Sequence, residues 1–206
     1  MQFYFSVSDF GFQYELELLP DILRGMLERI PTLYPVFQVI PFQHLFQLLK
    51  EDTVDVILSF REKAQKKSRG TYKELTRVNA VAILPRSLPL ARRDSLTADD
   101  LEKEKLVLLN PQIAPDCFNI IQQKIMERRS MSELYLRDSP EGCVALAKAG
   151  FGITVLPNLT IVKDPALAYI PLTGFEPMSY GAYYNSTSGN VTLKLFLRLC
   201  KEHFSV

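Results

Sequence analysis

Histidine and cysteine, which often act as catalytic groups or metal ligands, are few in this sequence, and their spacing does not indicate a catalytic site. There are two histidines, His44 and His203, and three cysteines, Cys117, Cys143 and Cys200, all far apart and without a C-x-x-C pair. A transition-metal site needs several such ligands at close spacing, so we expect none. The cysteines lie among apolar residues, which is typical of reduced thiols in a protein core.

The motifs of common enzyme families are also missing. No P-loop, complete dinucleotide fingerprint, G-x-S-x-G elbow or H-E-x-x-H helix occurs. The run Gly150-Phe151-Gly152 is half of a dinucleotide fingerprint, but it follows a predicted helix instead of opening one. No paired carboxylates stand out as an acid and base. We therefore expect a protein that is not an enzyme, with no catalytic residues and no cofactor.

Short clusters of polar, aromatic and proline residues follow several β-like runs, and these are the candidate binding residues. In an open α/β sheet, ligands bind beyond the carboxyl ends of the strands. Helix N-termini at that edge suit anions, and Arg61 is the best partner for a carboxylate. The alternative for each cluster is an ordinary cap or loop, and for Arg61 a solvated position. The candidates are Ser8, Asp9, Phe10, Pro41, Phe42, Gln43, Ser59, Phe60, Arg61, Asn110, Pro111, Asp138, Ser139 and Pro140.

The elements that would position these clusters alternate between strands and helices. Strands are predicted at Phe3–Ser8, Val36–Ile40 and Val54–Phe60, and helical spacing of leucines and isoleucines separates them. A second strand–helix–strand–helix–strand series follows. Its strands are predicted at Val78–Pro85, Lys105–Asn110, Ser132–Leu136 and 153–157, and later ones at Ala166–Leu172 and Tyr180–Asn185. This alternation predicts parallel sheets covered by helices on both faces.

Local signals define several element boundaries. Ser139 and Pro140 are typical of a helix start, and Gly150 of a left-handed helix end. Thr97 with Asp100 predicts a capping box. The charged segment Arg61–Gly70 could be a nucleic-acid patch, but no aromatic residues interleave with its bases, so a solvated loop is the favoured interpretation.

Composition excludes several classes of protein. The chain has 206 residues, of which 47% are hydrophobic and 23% charged, and its net charge is +1. This balance is typical of a globular protein with one large domain or two lobes, and it gives no electrostatic footprint for nucleic acid as the main partner. The first ten residues resemble neither a signal peptide nor a membrane anchor.

Several segments, in order, resemble the effector-binding domain of LysR-type transcriptional regulators. They are LPDILRGMLERIPTLYPVFQVI, the run from Leu48 to Ile57, AILPRSLPLARRDSLTADDLEKEKLVLL, CVALAKAGFGITVLP and LAYIPL with the last helix. Asp52 stands where the family often has glycine, and Leu88 where histidine is common. Phe42 replaces the serine or threonine of many members. The resemblance covers essentially the whole chain.

This resemblance implies an α/β fold like the type II periplasmic binding proteins, with two Rossmann-like lobes joined by two crossover strands. The first lobe would be residues 1–77 plus 168–206, and the second residues 78–167. The crossovers, near Arg77–Val81 and Ala168–Leu172, would form a hinge. A small effector, expected to be anionic, would bind in the cleft between the lobes, and Phe42 suggests that it has an apolar or aromatic portion or that the site is occluded.

The resemblance also implies partners. Effector domains of this family form homodimers, here through the helix from about Phe12 to Ile30 and the helix from Pro140 to Ala149, with Leu16 and Leu18 as spare apolar surface. Full members carry an N-terminal winged helix-turn-helix, so DNA would be bound only through that missing part, in the cytoplasm and with no membrane partner. We expect a fragment of a longer regulator, or alternatively a natural stand-alone domain. A transporter's solute-binding protein and a porphyrin-synthesis deaminase are alternative functions on this fold.

Overall fold

The chain folds into two compact units, each built around its own five-stranded sheet. A computed structural model describes residues 2–8, 12–62, 70–127, 129–130, 134–159 and 163–204, and the side chains of Ser8 and of 12–14 are not described. The first unit comprises residues 1–77 and 179–206, and the second residues 78–178. The predicted α/β class is confirmed, with two mixed sheets and five helices.

The first unit has the strand order β2-β1-β3-β10-β4. β1 pairs in parallel with β2 and with β3, whereas β10 runs antiparallel to β3. Its elements are β1 (Gln2–Ser8), α1 (Phe12–Arg29), β2 (Tyr34–Ile40), α2 (Phe42–Lys50), β3 (Val56–Phe60), β4 (Thr71–Val78), β10 (Met178–Tyr184) and α5 (Val191–Phe204).

Alternation along β1 gives the first sheet two differently packed faces. Phe3 and Phe5 point to one face, where their rings lie 5.3 and 6.1 Å from the ring of Phe196 on α5. Tyr4 points to the other face and packs against the apolar cluster of α2 that contains Leu45. Helices therefore cover both faces, as the strand–helix alternation predicts.

The second unit repeats this plan with the order β7-β6-β8-β5-β9. β6 pairs in parallel with β7 and β8, and β5 is antiparallel to β8 and β9. Its elements are β5 (Ala80–Pro85), β6 (Leu106–Leu109), α3 (Asp116–Met126), β7 (Leu134–Arg137), α4 (Pro140–Lys148), β8 (Ile153–Pro157) and β9 (Leu167–Pro171), with short 3-10 turns at Pro89–Arg92 and Asp99–Leu101.

Two local motifs predicted from the sequence are present in the second unit. The Thr97 hydroxyl and the Asp100 carboxylate form the reciprocal bonds of a capping box, with Thr97 N donating to Asp100 Oδ2 at 2.9 Å. At the end of α4, Phe151 N donates to Leu146 O and Gly150 has φ +84°, which is the left-handed helix end expected for Gly150.

The structure differs from the sequence-based expectation at three points. The chain returns to the first unit at Met178/Ser179 and not near residue 168, because β9 pairs with β5 in the second sheet. β4 has no counterpart in the prediction, since polar and charged residues make up most of this edge strand. On α1, Leu18, expected as spare apolar surface, is buried with 2% exposure, whereas Leu27 is 53% exposed.

Among the helices of the described residues, none is both long and apolar enough to span a bilayer. Within the same residues, no cluster of three or more His, Cys, Asp or Glu side chains could hold a metal ion.

The two glycines of the turn between α4 and β8 should differ in their response to alanine. A Cβ at Gly152 would lie 2.5 Å from the carbonyl oxygen of Lys105, whereas a Cβ at Gly150 meets nothing within 4 Å. We expect Gly152→Ala to lower the free energy of unfolding by about 1–3 kcal/mol through steric overlap. Gly150→Ala should lower it by about 1 kcal/mol through its positive φ, and Gly150→Asn by less. Urea unfolding measures all three, and equal stability of Gly152→Ala and wild type would contradict this interpretation.

Candidate functional site

Three of the predicted clusters of the first unit meet at one edge of its sheet. Parallel register places Ser8 beside Ile40, directly before Pro41, and places Val7 beside Leu58, directly before Ser59. We call this edge, formed by the ends of β1, β2 and β3, the first carboxyl edge. Asp9 and Phe10 lie outside the described residues, as do residues 63–69 of the charged segment.

Two buried hydroxyl groups lie just inside the first carboxyl edge on its α2 face. Ser6 and Ser59 are 0% and 2% exposed, and neither Oγ atom has a hydrogen-bond partner within the described part of the chain. Ser6 lies two residues after Tyr4, and Ser59 lies two residues after Ile57. Tyr4 and Ile57 both pack in the apolar cluster of α2, and because strand side chains alternate, the two serines point to that same face. Buried hydroxyls without partners are rare in native proteins, so these two are suited to a polar ligand atom or an ordered water.

A connected row of aromatic rings crosses the same face. Phe42, at the start of α2, has its ring centroid 6.1 Å from that of Phe46, and Phe46 lies 5.1 Å from Tyr183. Tyr183 in turn lies 4.5 Å from Tyr72 on β4. We call Phe42, Phe46, Tyr183 and Tyr72 the aromatic row. α2 begins without a side-chain cap, because Pro41 occupies its N-cap position.

Arg61 stands at the end of the aromatic row. Its guanidinium carbon lies 5.6 Å from the ring centroid of Tyr72, and its side chain is exposed. Tyr72 Oη and Ser179 Oγ are 2.8 Å apart, and Ser179 Oγ donates to Glu74 Oε2. The hydrogen bond from Ser179 lowers the pKa of Glu74 most, Arg77 lowers it next, and Arg61 lowers it more weakly. The Glu74 carboxylate therefore balances the charge of these two arginines.

The predicted residues of the second unit lie after the ends of β6 and β7, where Asn110 and Asp138 bond to each other. Asn110 Nδ2 donates to Asp138 Oδ1 at 3.0 Å, and Gln112 N donates to Asn110 Oδ1. Ser139 Oγ accepts from Gly142 N at 3.0 Å, as the N-cap of α4, and Pro140 is the first helical residue. The cap predicted at Ser139 is therefore present.

The comparisons with known proteins agree with this architecture. The LysR substrate binding domain family matches residues 12–205. The chain belongs to this family. No curated protein sequence matches the chain significantly.

Solved structures of LysR-family proteins are similar to this domain in fold. HinK, a LysR family transcriptional regulator from Pseudomonas aeruginosa, has 16% identity and a TM-score of 0.80 over 99% of this chain and 70% of its own. The effector binding domain of BenM with its effector benzoate has 18% identity and a TM-score of 0.79, over 99% and 92%. A mutant of OxyR from Corynebacterium glutamicum has 19% identity and a TM-score of 0.76, and the chain spans 64% of its length.

Two side chains of α3 in this chain, missed by sequence reasoning, organise the loop after β6. Gln122, which is fully buried, accepts from Leu109 N through Oε1 at 3.0 Å and donates through Nε2 to Asn119 Oδ1. Asn119 Nδ2 donates to the carbonyl oxygens of Pro111 and Ala114. These amides hold the loop after β6. Gln122 could have been noticed as a polar residue directly beside Ile121 in the apolar stripe of α3.

Other residues missed from the sequence are Ser6, Tyr72 and Tyr183. Ser6 lies inside a β-like run where it is indistinguishable from a surface serine, and Tyr72 lies on the unpredicted β4. Cys143 and Cys200 are buried, as expected for core thiols, whereas Cys117 is half-buried. All three are described, none forms a disulfide, and burial raises the pKa of Cys143 and Cys200 to about 12.

The Ser139 cap can be separated from any role in ligand binding. We expect Ser139→Ala to lower the free energy of unfolding by about 1 kcal/mol, because Gly142 N loses its acceptor. Ser139→Asp retains an acceptor and should stay close to wild type. Urea unfolding of both variants without ligand is the measurement, and equal losses in the two would show that the hydroxyl does not act as a cap.

Proposed function

We propose that this LysR-family domain is an effector-sensing module that binds a small anionic metabolite with an apolar or aromatic portion. The binding of this effector would shift a conformational equilibrium and so alter DNA binding and transcription. The observation that carries the proposal is Arg61 at the end of the aromatic row, on the edge that also holds the buried hydroxyls of Ser6 and Ser59.

The chemistry of the first carboxyl edge supports this class of ligand. A guanidinium group binds carboxylates through paired, charge-assisted hydrogen bonds. Aromatic rings beside it favour a planar or apolar body, and Phe42 contributes to that surface where a hydroxyl residue would not. The hydroxyls of Ser6 and Ser59 provide partners for further polar atoms of the ligand.

The predicted residues of the second unit, Asn110, Pro111, Asp138, Ser139 and Pro140, remain proposed contacts. Their backbone groups are better suited than their side chains to meet a ligand. Asn110 and Ser139 already use their side-chain oxygens within the unit, and the Asn110 amide is bonded to Asp138.

An arginine substitution tests the proposed anion contact. The probes are a panel of small carboxylates, including benzoate, and small phosphates, added at increasing concentration in thermal-shift assays. A ligand at about 100 times its Kd stabilises the folded state by about 2.7 kcal/mol, which gives a measurable rise in Tm. We expect at least one aromatic carboxylate to raise the Tm of wild type and Arg61→Ala to lose most of that rise. Arg61→Lys should retain part of it.

Arg24→Ala is the matched control, since Arg24 is an exposed arginine of the same unit that pairs with Asp21 at 3.3 Å. It should leave every ligand response unchanged. A response that is equal in Arg61→Ala and wild type would refute the role of Arg61. If no anion of the panel stabilised wild type, the proposed ligand class would be wrong.

The family membership favours this function over the alternatives. The matching family is that of LysR regulators and not of transport proteins, so a transporter's solute-binding protein is disfavoured. The family is regulatory, and we propose that this member is also not an enzyme. DNA would be contacted through a winged helix-turn-helix, either in the same polypeptide or in a polypeptide attached to it. A regulator that acts on DNA in this way would work in the bacterial cytoplasm.

We also propose a homodimer through α1 of one copy and α4 of the other. Leu16 and Leu27 are 48% and 53% exposed, and about three helical turns separate them, so they share one face of α1. Two large leucines exposed on one helix face suit a partner surface.

Substitution of one leucine tests the dimer. We expect wild type to be dimeric at micromolar concentration by light scattering and Leu27→Glu to be largely monomeric, because a carboxylate would be buried without a partner. Glu28→Gln, which changes the neighbouring exposed residue, should remain dimeric. A monomeric wild type, or a Leu27→Glu variant that stays dimeric, would contradict the proposed surface.

A further inference from the structure

Glu15 is a charged residue type in a position that excludes water. It lies in the first turn of α1, and 1% of it is exposed. Tyr180 on β10 donates its phenolic hydrogen to Glu15 Oε1, and the other oxygen, Oε2, has no hydrogen-bond partner within the described part of the chain. The ring of Tyr180 lies edge-on to that of Phe60, at a centroid distance of 5.3 Å. Glu15 therefore joins the first turn of α1 to Tyr180 on β10.

This buried environment favours the neutral carboxylic acid form of Glu15. A buried carboxylate with one bond and one unpartnered oxygen loses far more hydration than it regains. Burial is the largest influence and raises the pKa of Glu15 to about 8, although Tyr180 and the backbone amide of Glu15 both act to lower it. The acid therefore changes charge close to neutral pH instead of near the 4.5 of an ordinary glutamate.

No counter-charge compensates the buried position within the described residues. Tyr180 is the titratable group bonded to Glu15, and β1 and β3 carry no charged side chain within their bounds. On α1 the nearest charged residue is Glu17, which is exposed. α5, which also packs on α1, carries Lys194, Arg198, Lys201, Glu202 and His203, all of them exposed.

We propose that Glu15 is a proton-responsive contact: as a neutral acid it holds the first turn of α1 to β10, and loss of its proton under mildly alkaline conditions loosens that turn. Because α1 follows directly on the end of β1, this places a pH-sensitive element beside the first carboxyl edge. The inference goes beyond effector sensing and does not depend on it, since no ligand takes part.

The linkage has a definite sign. In the unfolded chain Glu15 loses its proton near 4.5, whereas in the folded chain it keeps it until about 8. The stability that Glu15 contributes is thus fully present below about pH 4.5 and is lost as the pH rises to about 8. Over that window the unfolding equilibrium constant should increase about tenfold per pH unit through this one group.

The direct test uses the whole chain without ligand, labelled with ¹³C at the glutamate carboxyl carbons. One carboxyl resonance should titrate with a midpoint near 8, far above the 4.5 of an ordinary glutamate. The Glu15→Gln spectrum should lack that resonance, and Tyr180→Phe should move its midpoint upward, because the bond that lowers the pKa is gone. A Glu15 resonance with a midpoint near 4.5 would overturn the proposal.

Stability and exchange provide the second measurement. Wild type should lose stability in urea between pH 5 and pH 8 more steeply than Glu15→Gln. Above pH 8 the amides of the first turns of α1 should lose protection against exchange in wild type only, after the intrinsic rise of exchange with pH is subtracted. The control is Glu17→Gln, on the same helix but exposed, which should follow wild type. Identical pH profiles for wild type and Glu15→Gln, or unchanged exchange in α1, would refute the loosening.

Discussion

The parallel pairing of β1 with β2 and with β3 is the constraint on which the first unit depends. Its register brings the ends of three strands to one edge and decides which side chains lie on which face. A slip by one residue would exchange Ser6 for Phe5 or Val7 on the α2 face, because strand side chains alternate. The packing of Phe3 and Phe5 on Phe196 on the opposite face prevents such a slip, since these rings fill the space beneath α5.

Buried polar groups are fully satisfied in the loop after β6 but not throughout either unit, since Thr154 Oγ1 of the second unit also has no partner among the described residues. In the second unit, Gln122 and Asn119 satisfy the loop after β6 with short, complete hydrogen bonds. In the first unit, Ser6, Ser59 and Glu15 keep polar atoms without a partner among the described residues. A buried hydroxyl without a partner costs about 1–3 kcal/mol. Unsatisfied groups of this kind are expected where a protein binds or responds to something, and two of them, the hydroxyls of Ser6 and Ser59, lie at the first carboxyl edge.

Sequence patterns predicted the elements better than they predicted the site. The runs that became β3, β5, β6 and β8 are nearly all apolar and fully buried, so their hydrophobic signal is strong. The capping box at Thr97 and the helix end at Gly150 could also be recognised, because a few residue types determine them. The edge strand β4 could not, since polar residues dominate it. Asp52 stands where the family often has glycine and has φ +53°, a backbone requirement that the family resemblance hinted at.

The site was harder because its groups come together across the chain. Serines at strand ends and the arginine after β3 could be selected from position alone, yet the aromatic row joins residues from α2, β4 and β10. No regular spacing in the sequence predicts the contacts between these aromatic rings. Glu15 had a clearer signal, since it lies one helical turn before Leu18 and Leu19 on the side of α1 that is buried. The expectation that Leu18 is spare apolar surface hid this signal.

The connectivity of the two units has a consequence for synthesis on the ribosome. The second unit is one continuous stretch, residues 78–178, whereas the first is completed only by 179–206. While the chain emerges, β1 to β4 lack β10 between β3 and β4, and Phe3 and Phe5 lack Phe196. Domains fold as they leave the ribosome. The second unit should therefore fold before the first unit, which can be completed only when residues 179–206 have been made. During that interval the unpaired edge of β3 is open to other chains, which makes nascent protein the form most in need of a chaperone.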